Sequence, residues 1–147
     1  MAVYNYDPSQ VIVMIGGNLM QGFADGDFIS IEREEQSFTK VVGADGFVSR
    51  AKTSNRSGTM TLTLKQTSPS NEILSDFLAQ DEANANGIFQ VLIKEGTGGS
   101  RLFTATGWVQ GMPTISYGKE INDREWLIDL AEIEFDIKGN DFVTSGE

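Results

Sequence analysis

Residues 59–65 read Thr-Met-Thr-Leu-Thr-Leu-Lys, an unbroken alternation of polar and apolar side chains. Only an extended strand puts every second side chain on one face, so Met60, Leu62 and Leu64 cover a core while Thr59, Thr61, Thr63 and Lys65 face away from it. The β-branched threonines suit a pleated surface better than Asp or Lys would. Such a strand cannot stand alone. It needs neighbours along its edges and a second layer over its apolar face.

The neighbours are legible on both sides. Val11–Ile15 is apolar at every position and is read as a strand buried on both faces, with Gly16-Gly17-Asn18 turning it into LMQGF. Residues 27–33, DFISIER, set Ile29 and Ile31 on one face and Phe28, Ser30 and Glu32 on the other. IFQVLIKE, the turn Gly96-Thr97-Gly98-Gly99 and RLFTATGWVQ form a further hairpin, and Met112–Tyr117 is expected to be a short strand. The last strand is expected over EWLIDLAEIEFDI, residues 125–137. There the apolar positions are even at Trp126, Ile128 and Leu130, then odd at Ala131, Ile133, Phe135 and Ile137. A change of parity predicts a bulge or bend near Leu130-Ala131.

One helix interrupts the strands, over about 69–85. Ser68 is its N-cap, Pro69 opens its first turn, and Glu72 and Asp76 lie toward its positive end. Ile73, Leu74, Phe77 and Leu78 form an apolar stripe that is read as core packing, and Asn86-Gly87 is the expected C-cap. Residues 139–147 read as a loose tail. The chain is therefore a mainly β, antiparallel, single domain over residues 1–147 with one flanking α-helix. At this length a fold buries roughly 68–70% of its unfolded surface around one core.

Charge is segregated along this scaffold. The net charge of the 147 residues is −10, yet residues 40–65 hold five bases (Lys40, Arg50, Lys52, Arg56, Lys65) and one acid, Asp45. They connect DFISIER to TMTLTLK by a polar excursion, an arm at about residues 38–58, with Gly43-Ala44-Asp45-Gly46 as its turn between TKVV and FVSRAK. Three readings are open: contact with nucleic acid, a solvated loop, and docking on an acidic neighbour. Aromatic interleaving is confined to Phe47 and the acidic body repels phosphate, which disfavours the first. Docking on another copy is favoured, with register and assembly rate set by complementary charge.

The same composition excludes whole classes of chemistry. There is no histidine and no cysteine. Histidine-assisted nucleophilic catalysis, thiolate metal sites and disulfides are thereby closed. Glu132, Glu134 and Asp136 alternate with apolar residues and are expected to form an acidic row on the last strand. Such a row resembles a polar surface more than a tuned acid/base pair. Asp25-Gly26-Asp27 and Asp45-Gly46 lack the spaced ligands of a calcium loop, and Gly16-Gly17 and Gly96-Thr97-Gly98-Gly99 lack the lysine and helix of a phosphate loop. No catalytic residue, cofactor or metal is assigned. The amino terminus lacks the blocks of a signal peptide and no apolar run could span a bilayer, so a soluble protein made in the cytoplasm is expected.

Two stretches carry a family resemblance. Residues 16–75 include the passage from FISIER to FTKVVGADG and the block NRSGTMTLTLKQTSPSN, and residues 118–140 include GKE and REW before the final strand. In these the chain resembles the tail tube proteins of contractile-tailed bacteriophages. The resemblance implies a compact β-sandwich or barrel-like tail tube fold flanked by a helix, with a long extended hairpin or loop. It further implies hexameric rings, strands joined edge to edge into an inner β-barrel, and stacking into a hollow tube inside a sheath. The tube would enclose the tape measure protein and later pass the genome without specific DNA binding. Tail sheath, baseplate and terminator proteins become expected partners, the virion the expected location, and the bacterial cytoplasm the place of assembly.

Matched residue by residue, the element that reaches from ring to ring falls on Phe38 to Gly58, with Lys40, Asp45, Phe47, Arg50, Lys52 and Arg56 as its contact residues. Two surfaces are candidates for the channel lining: Thr59, Thr61 and Thr63, or Glu132, Glu134 and Asp136. The tube of a contractile injection or type VI secretion apparatus is the nearest alternative. A monomeric carbohydrate-binding β-sandwich with Trp108, Tyr117 and Trp126 exposed is the alternative of a different class.

Overall fold

The computed structural model of the chain describes residues 2–140 and 142–144. In chain order they form β1 (Ala2–Tyr4), a short 3-10 turn (Pro8–Gln10), β2 (Val11–Ile15), β3 (Asn18–Leu19), β4 (Ile29–Arg33), β5 (Phe38–Val42), β6 (Val48–Lys52) and β7 (Gly58–Lys65). The helix α1 (Ser70–Asn84) follows, then β8 (Phe89–Glu95), β9 (Arg101–Val109), β10 (Asp123–Leu130), β11 (Phe135–Asp136) and β12 (Phe142–Thr144). The main sheet runs β3-β2-β8-β9-β10-β7-β4, with β11 added on β9, while β5-β6 and β1-β12 form separate two-stranded ribbons. Every pairing is antiparallel.

The alternation of β7 sets the layout. Gly58, Met60, Leu62 and Leu64 are buried and the threonines between them half-buried. β10 pairs with β7 over its whole length, from Leu130 opposite Gly58 to Asp123 opposite Lys65, so Trp126, Ile128 and Leu130 join the same core face. β4 covers the other edge and adds Ile29 and Ile31. Val13, Ile15, Phe89, Val91, Ile93 and Leu74 of α1 complete one apolar cluster. The sheet curls without closing: an apolar cleft of about 1080 Å3 lies where β4 faces β8 and β11, with Ile31, Ile93 and Phe135 among its walls.

The helix enters one residue later than expected: Pro69, not Ser68, is the N-cap and its position carries no side-chain cap, while the Ser68 hydroxyl accepts the Ser70 N–H at 3.2 Å and donates to the Gln21 carbonyl. Asn71 ties this entry to the sheet, its amide donating to the Lys65 and Ser68 carbonyls while its oxygen accepts the Trp126 indole N–H at 2.9 Å. The exit differs from expectation. The left-handed residue is Ala85 (φ 52°), not Asn86 or Gly87, and Gly87 instead donates its N–H to the Asp81 carboxylate.

Five further expectations need correction. β2 is buried on one face only: Val13 and Ile15 are fully covered, but Ile12 is 40% exposed, because no second layer of the described residues lies over that side. Met112–Tyr117 is a loop; Pro113 lacks the N–H a ladder needs and no strand pairs there. The last strand does not run unbroken to Ile137: β10 ends at Leu130, at the expected change of parity, and pairing resumes at β11 on the same neighbour, β9. The Glu132–Glu134–Asp136 row therefore does not lie along one strand. Part of the tail, expected to be loose, pairs with the amino-terminal strand, Val3 opposite Val143.

Gly58 marks the tightest approach in the sheet. A β-carbon there would strike the Glu32 carbonyl oxygen and lie 2.6 Å from Ile133 Cδ1 and 2.8 Å from Arg33 Cα. Gly58→Ala is expected to destabilise the fold by about 1–3 kcal/mol, as overpacking of a tight core does. Denaturant unfolding would register this as a lower midpoint at unchanged slope.

Candidate assembly surfaces

The arm is a true β-hairpin. Residues 38–42 and 48–52 pair in register, Phe38 opposite Lys52, Lys40 opposite Arg50 and Val42 opposite Val48. All ten residues are exposed, and the ribbon pairs with no other strand among the described residues. Opposed residues of an antiparallel pair share a face. One face of the arm thus collects Lys40, Arg50 and Lys52 with Phe38, Val42 and Val48, while the other is neutral, with Thr39, Val41, Ser49 and Ala51. The Arg50 guanidinium sits 4.1 Å from the centroid of the Phe38 ring. At the turn Asp45 accepts the Phe47 N–H at 3.3 Å, and the Phe47 ring itself is 74% exposed.

The arm leaves the body at a built root. Arg33, at the end of β4, donates from Nε at 3.0 Å and from Nη2 to the Ile133 carbonyl. Ile133 in turn donates its N–H to the Arg56 carbonyl at 2.7 Å, and its side chain is buried. Arg56 pairs with Glu134 at 2.7 Å and Glu132 at 3.7 Å. These contacts separate the six expected arm residues into two groups. Lys40, Asp45, Phe47, Arg50 and Lys52 lie on the ribbon, whereas Arg56 turns back onto its own chain. Two of the three expected lining acids are its partners, and the third, Asp136, lies 3.6 Å from Lys138.

The threonine row forms a continuous surface on the side of β7 away from the core. The registers set Glu32, Thr59 and Asp129 side by side, then Ser30, Thr61 and Leu127, then Thr63 and Glu125. Thr59 reaches Asp129 at 3.5 Å, and Gln110 donates to the same carboxylate at 3.3 Å. The acids accompanying the threonines are thus Glu32, Glu125 and Asp129. Sequence reasoning missed them by following the odd-position apolar set beyond residue 130. The signal was present, since inward Trp126 and Ile128 force Glu125 and Asp129 outward.

A second apolar surface lies across β3, β2 and β8, where Leu19, Met14 and Leu92 stand in a row. Ile12, Leu19 and Leu92 are all exposed. Of the three aromatics that a carbohydrate-binding module would use, Trp108 is half-buried on β9. Trp126 is a 4% exposed core residue bonded to Asn71, while Tyr117 is 80% exposed.

Residues 1–138 match the sequence profile of a family described as the bacteriophage PhiTE tail tube protein. The chain belongs to this tail tube family. "Structural protein ORF10" of Pseudomonas phage KPP10 is 31% identical over 148 residues, covering 95% of this chain and 85% of that protein. The fold is shared with proteins of contractile injection particles. The tube-terminating cap of the anti-feeding prophage superposes with a TM-score of 0.62 at 10% identity, over 90% of this chain and 91% of that one. A chain of the extended sheath–tube complex of the extracellular contractile injection system PVC gives 0.61 at 12% identity, over 90% and 92%. The sheath/tube terminator of that system gives 0.62 at 14%, over 91% and 98%. A mainly antiparallel β subunit with one helix, in a phage tail tube protein, is therefore secure on sequence and fold together.

The root contacts differ in weight. The Arg56–Glu134 pair is about half exposed on both sides, and such pairs contribute about 0.2–1 kcal/mol. Burial of Ile133 contributes more. Arg56→Ala is expected to leave unfolding stability within about 1 kcal/mol, and Ile133→Ala to lower it by about 2–5 kcal/mol. Comparable losses for the two variants in urea titrations would contradict this division.

Proposed function

We propose that this tail tube protein forms hexameric rings that stack into the hollow inner tube of a contractile tail, within the virion. The observation that carries the reading is the exposed β5–β6 hairpin. It presents apolar and cationic side chains that nothing among the described residues covers, on a chain whose net charge is −10. A surface of this kind fits an acidic copy in a neighbouring ring. A contact repeated head to tail along an axis builds a tube, and one repeated by rotation closes a ring. The exposed Ile12, Leu19 and Leu92 row suits the lateral contact, and the free edge of β4 suits strand-to-strand joining around the ring.

The Thr59, Thr61 and Thr63 face is the lining this reading favours, with Glu32 and Asp129 in place of Glu132, Glu134 and Asp136. The carboxylates flanking the hydroxyls repel phosphate, and Lys65 at the end of the row is already paired with Asp25 at 3.6 Å, so a genome slides past without adhering. The sheath, the tape measure protein, and the baseplate and terminator proteins at the two ends are the remaining partners, and no catalytic role is assigned. Assembly in the host cytoplasm follows from the same reading. A tube in a phage-like injection particle is the alternative, favoured by the folds of the anti-feeding prophage and PVC proteins; the KPP10 relative favours a phage.

Electron microscopy of the purified protein provides the test, across a series of salt concentrations. Sixfold rings with a central channel, stacking into tubes that shorten as salt rises, are expected. Replacing residues 40–50 by a short turn is expected to leave rings that do not stack. A protein that stays monomeric at every concentration and salt would overturn the proposal.

A further inference from the structure

The arm and the most exposed apolar loop stand at opposite ends of the same strands. β7 begins at Gly58, beside the arm root, and ends at Lys65, opposite Asp123. Its eight residues span roughly 23 Å at about 3.3 Å per residue. Just before Asp123 runs the 110–122 loop, where Met112, Ile115, Tyr117 and Ile121 are all exposed. The loop is held in place. Arg124, 5% exposed, donates to the Ser116 carbonyl at 3.3 Å and lies 5.2 Å from the Tyr117 ring centroid. The Asn122 side-chain amide donates to that same carbonyl at 3.2 Å, its backbone N–H donates to the Gln66 side-chain oxygen, and its carbonyl accepts the Gln66 N–H.

Between this loop and the outward face of β10 lies a groove of about 480 Å3. Met112, Pro113 and Leu127 form its apolar wall and Asp123 and Glu125 its charged one; no base lines it. Its character is the counterpart of the basic arm face, where Lys40 and Arg50 are directly opposed across the ribbon. Like charges directly opposite destabilise a ribbon unless something else neutralises them. Among the described residues, Lys40 and Lys52 have no carboxylate partner. The acids around the arm root are less suited. Glu132 and Glu134 already hold Arg56, and Glu32, Glu34 and Glu35 lie at the arm's own end.

We propose that this groove receives the Lys40–Arg50–Lys52 face of the arm from a second copy of the chain in the adjacent ring. The inference rests on the reading of the protein as a stack of rings, and adds the receptor to it. Phe38, Val42 and Val48 meet the Met112–Leu127 wall, and Asp123 and Glu125 neutralise the opposed cations. Because donor and receptor lie at opposite ends of one subunit, the contact is heterologous and can repeat without limit along the tube.

Reciprocal charge reversal tests it. The arm variant K40E/R50E/K52E, the receptor variant D123K/E125K and the combination of all five substitutions are purified beside wild type. Circular dichroism melts confirm folding, and sedimentation with electron microscopy measures rings and stacks. Each reversal alone is expected to form rings but to lose stacked material at least tenfold, and the combined variant to recover tubes. Receptor-reversed protein that stacks like wild type, or a folded combined variant that does not recover, would overturn the groove assignment while leaving the stacked-ring reading intact. Arm-reversed protein that stacks normally would overturn it equally. Wild-type protein that forms no rings would remove the reading beneath it.

Discussion

The ladder between β7 and β10, from Gly58 opposite Leu130 to Lys65 opposite Asp123, fixes where everything else in the subunit can go. Its inward residues supply the middle of the core, and its outward residues supply the threonine and carboxylate surface. Its two ends place the arm and the 110–122 loop on opposite poles. A slip of one residue would exchange Met60, Leu62 and Leu64 for Thr59, Thr61 and Thr63 and expose the core. The placement of arm and loop at opposite ends, on which the proposed direction of stacking depends, is thus a consequence of one register.

The arm shows the converse. It has a correct register but no layer to pack on, and a lone two-stranded ribbon is marginal in water. Its Phe38–Arg50 contact and its turn hydrogen bond define a shape without supplying a core. What fixes it to the body is the root, where Ile133 is buried between β4 and the start of β7 while Arg56 adds an exposed pair. The root gives the arm a direction, and in the proposed stack a second copy supplies the burial. The same division appears on β2 and β8, whose inward residues are covered by the chain and whose outward Ile12 and Leu92 are not.

Much of this was legible in the sequence, for physical reasons that can be named. β7, the β8–β9 hairpin and the arm turn announce themselves through a two-residue period and glycine-bearing turns, which are local signals. The helix start at Ser68-Pro69 is equally local. What escaped depended on distant partners. A parity change at Leu130-Ala131 shows that a strand bends, but not that residues 131–134 leave the sheet to clamp the arm root. The apolar residues of Met112–Tyr117 resemble a strand, yet only Arg124 and Asn122 reveal a loop held open to solvent. The carboxylates beside the threonines were misassigned for the same reason. Position on a face follows from pairing, and pairing with β7 selects Glu125 and Asp129.

The central claim is that the arm becomes ordered and covered only against a second copy. Hydrogen exchange of the β5 and β6 amides, compared between dispersed subunits and stacked assemblies of the same protein, tests it most directly. The account predicts fast exchange over residues 38–52 in the dispersed protein and strong protection in the stack, with the β7 amides protected in both. Equal exchange of the arm in the two states would contradict it.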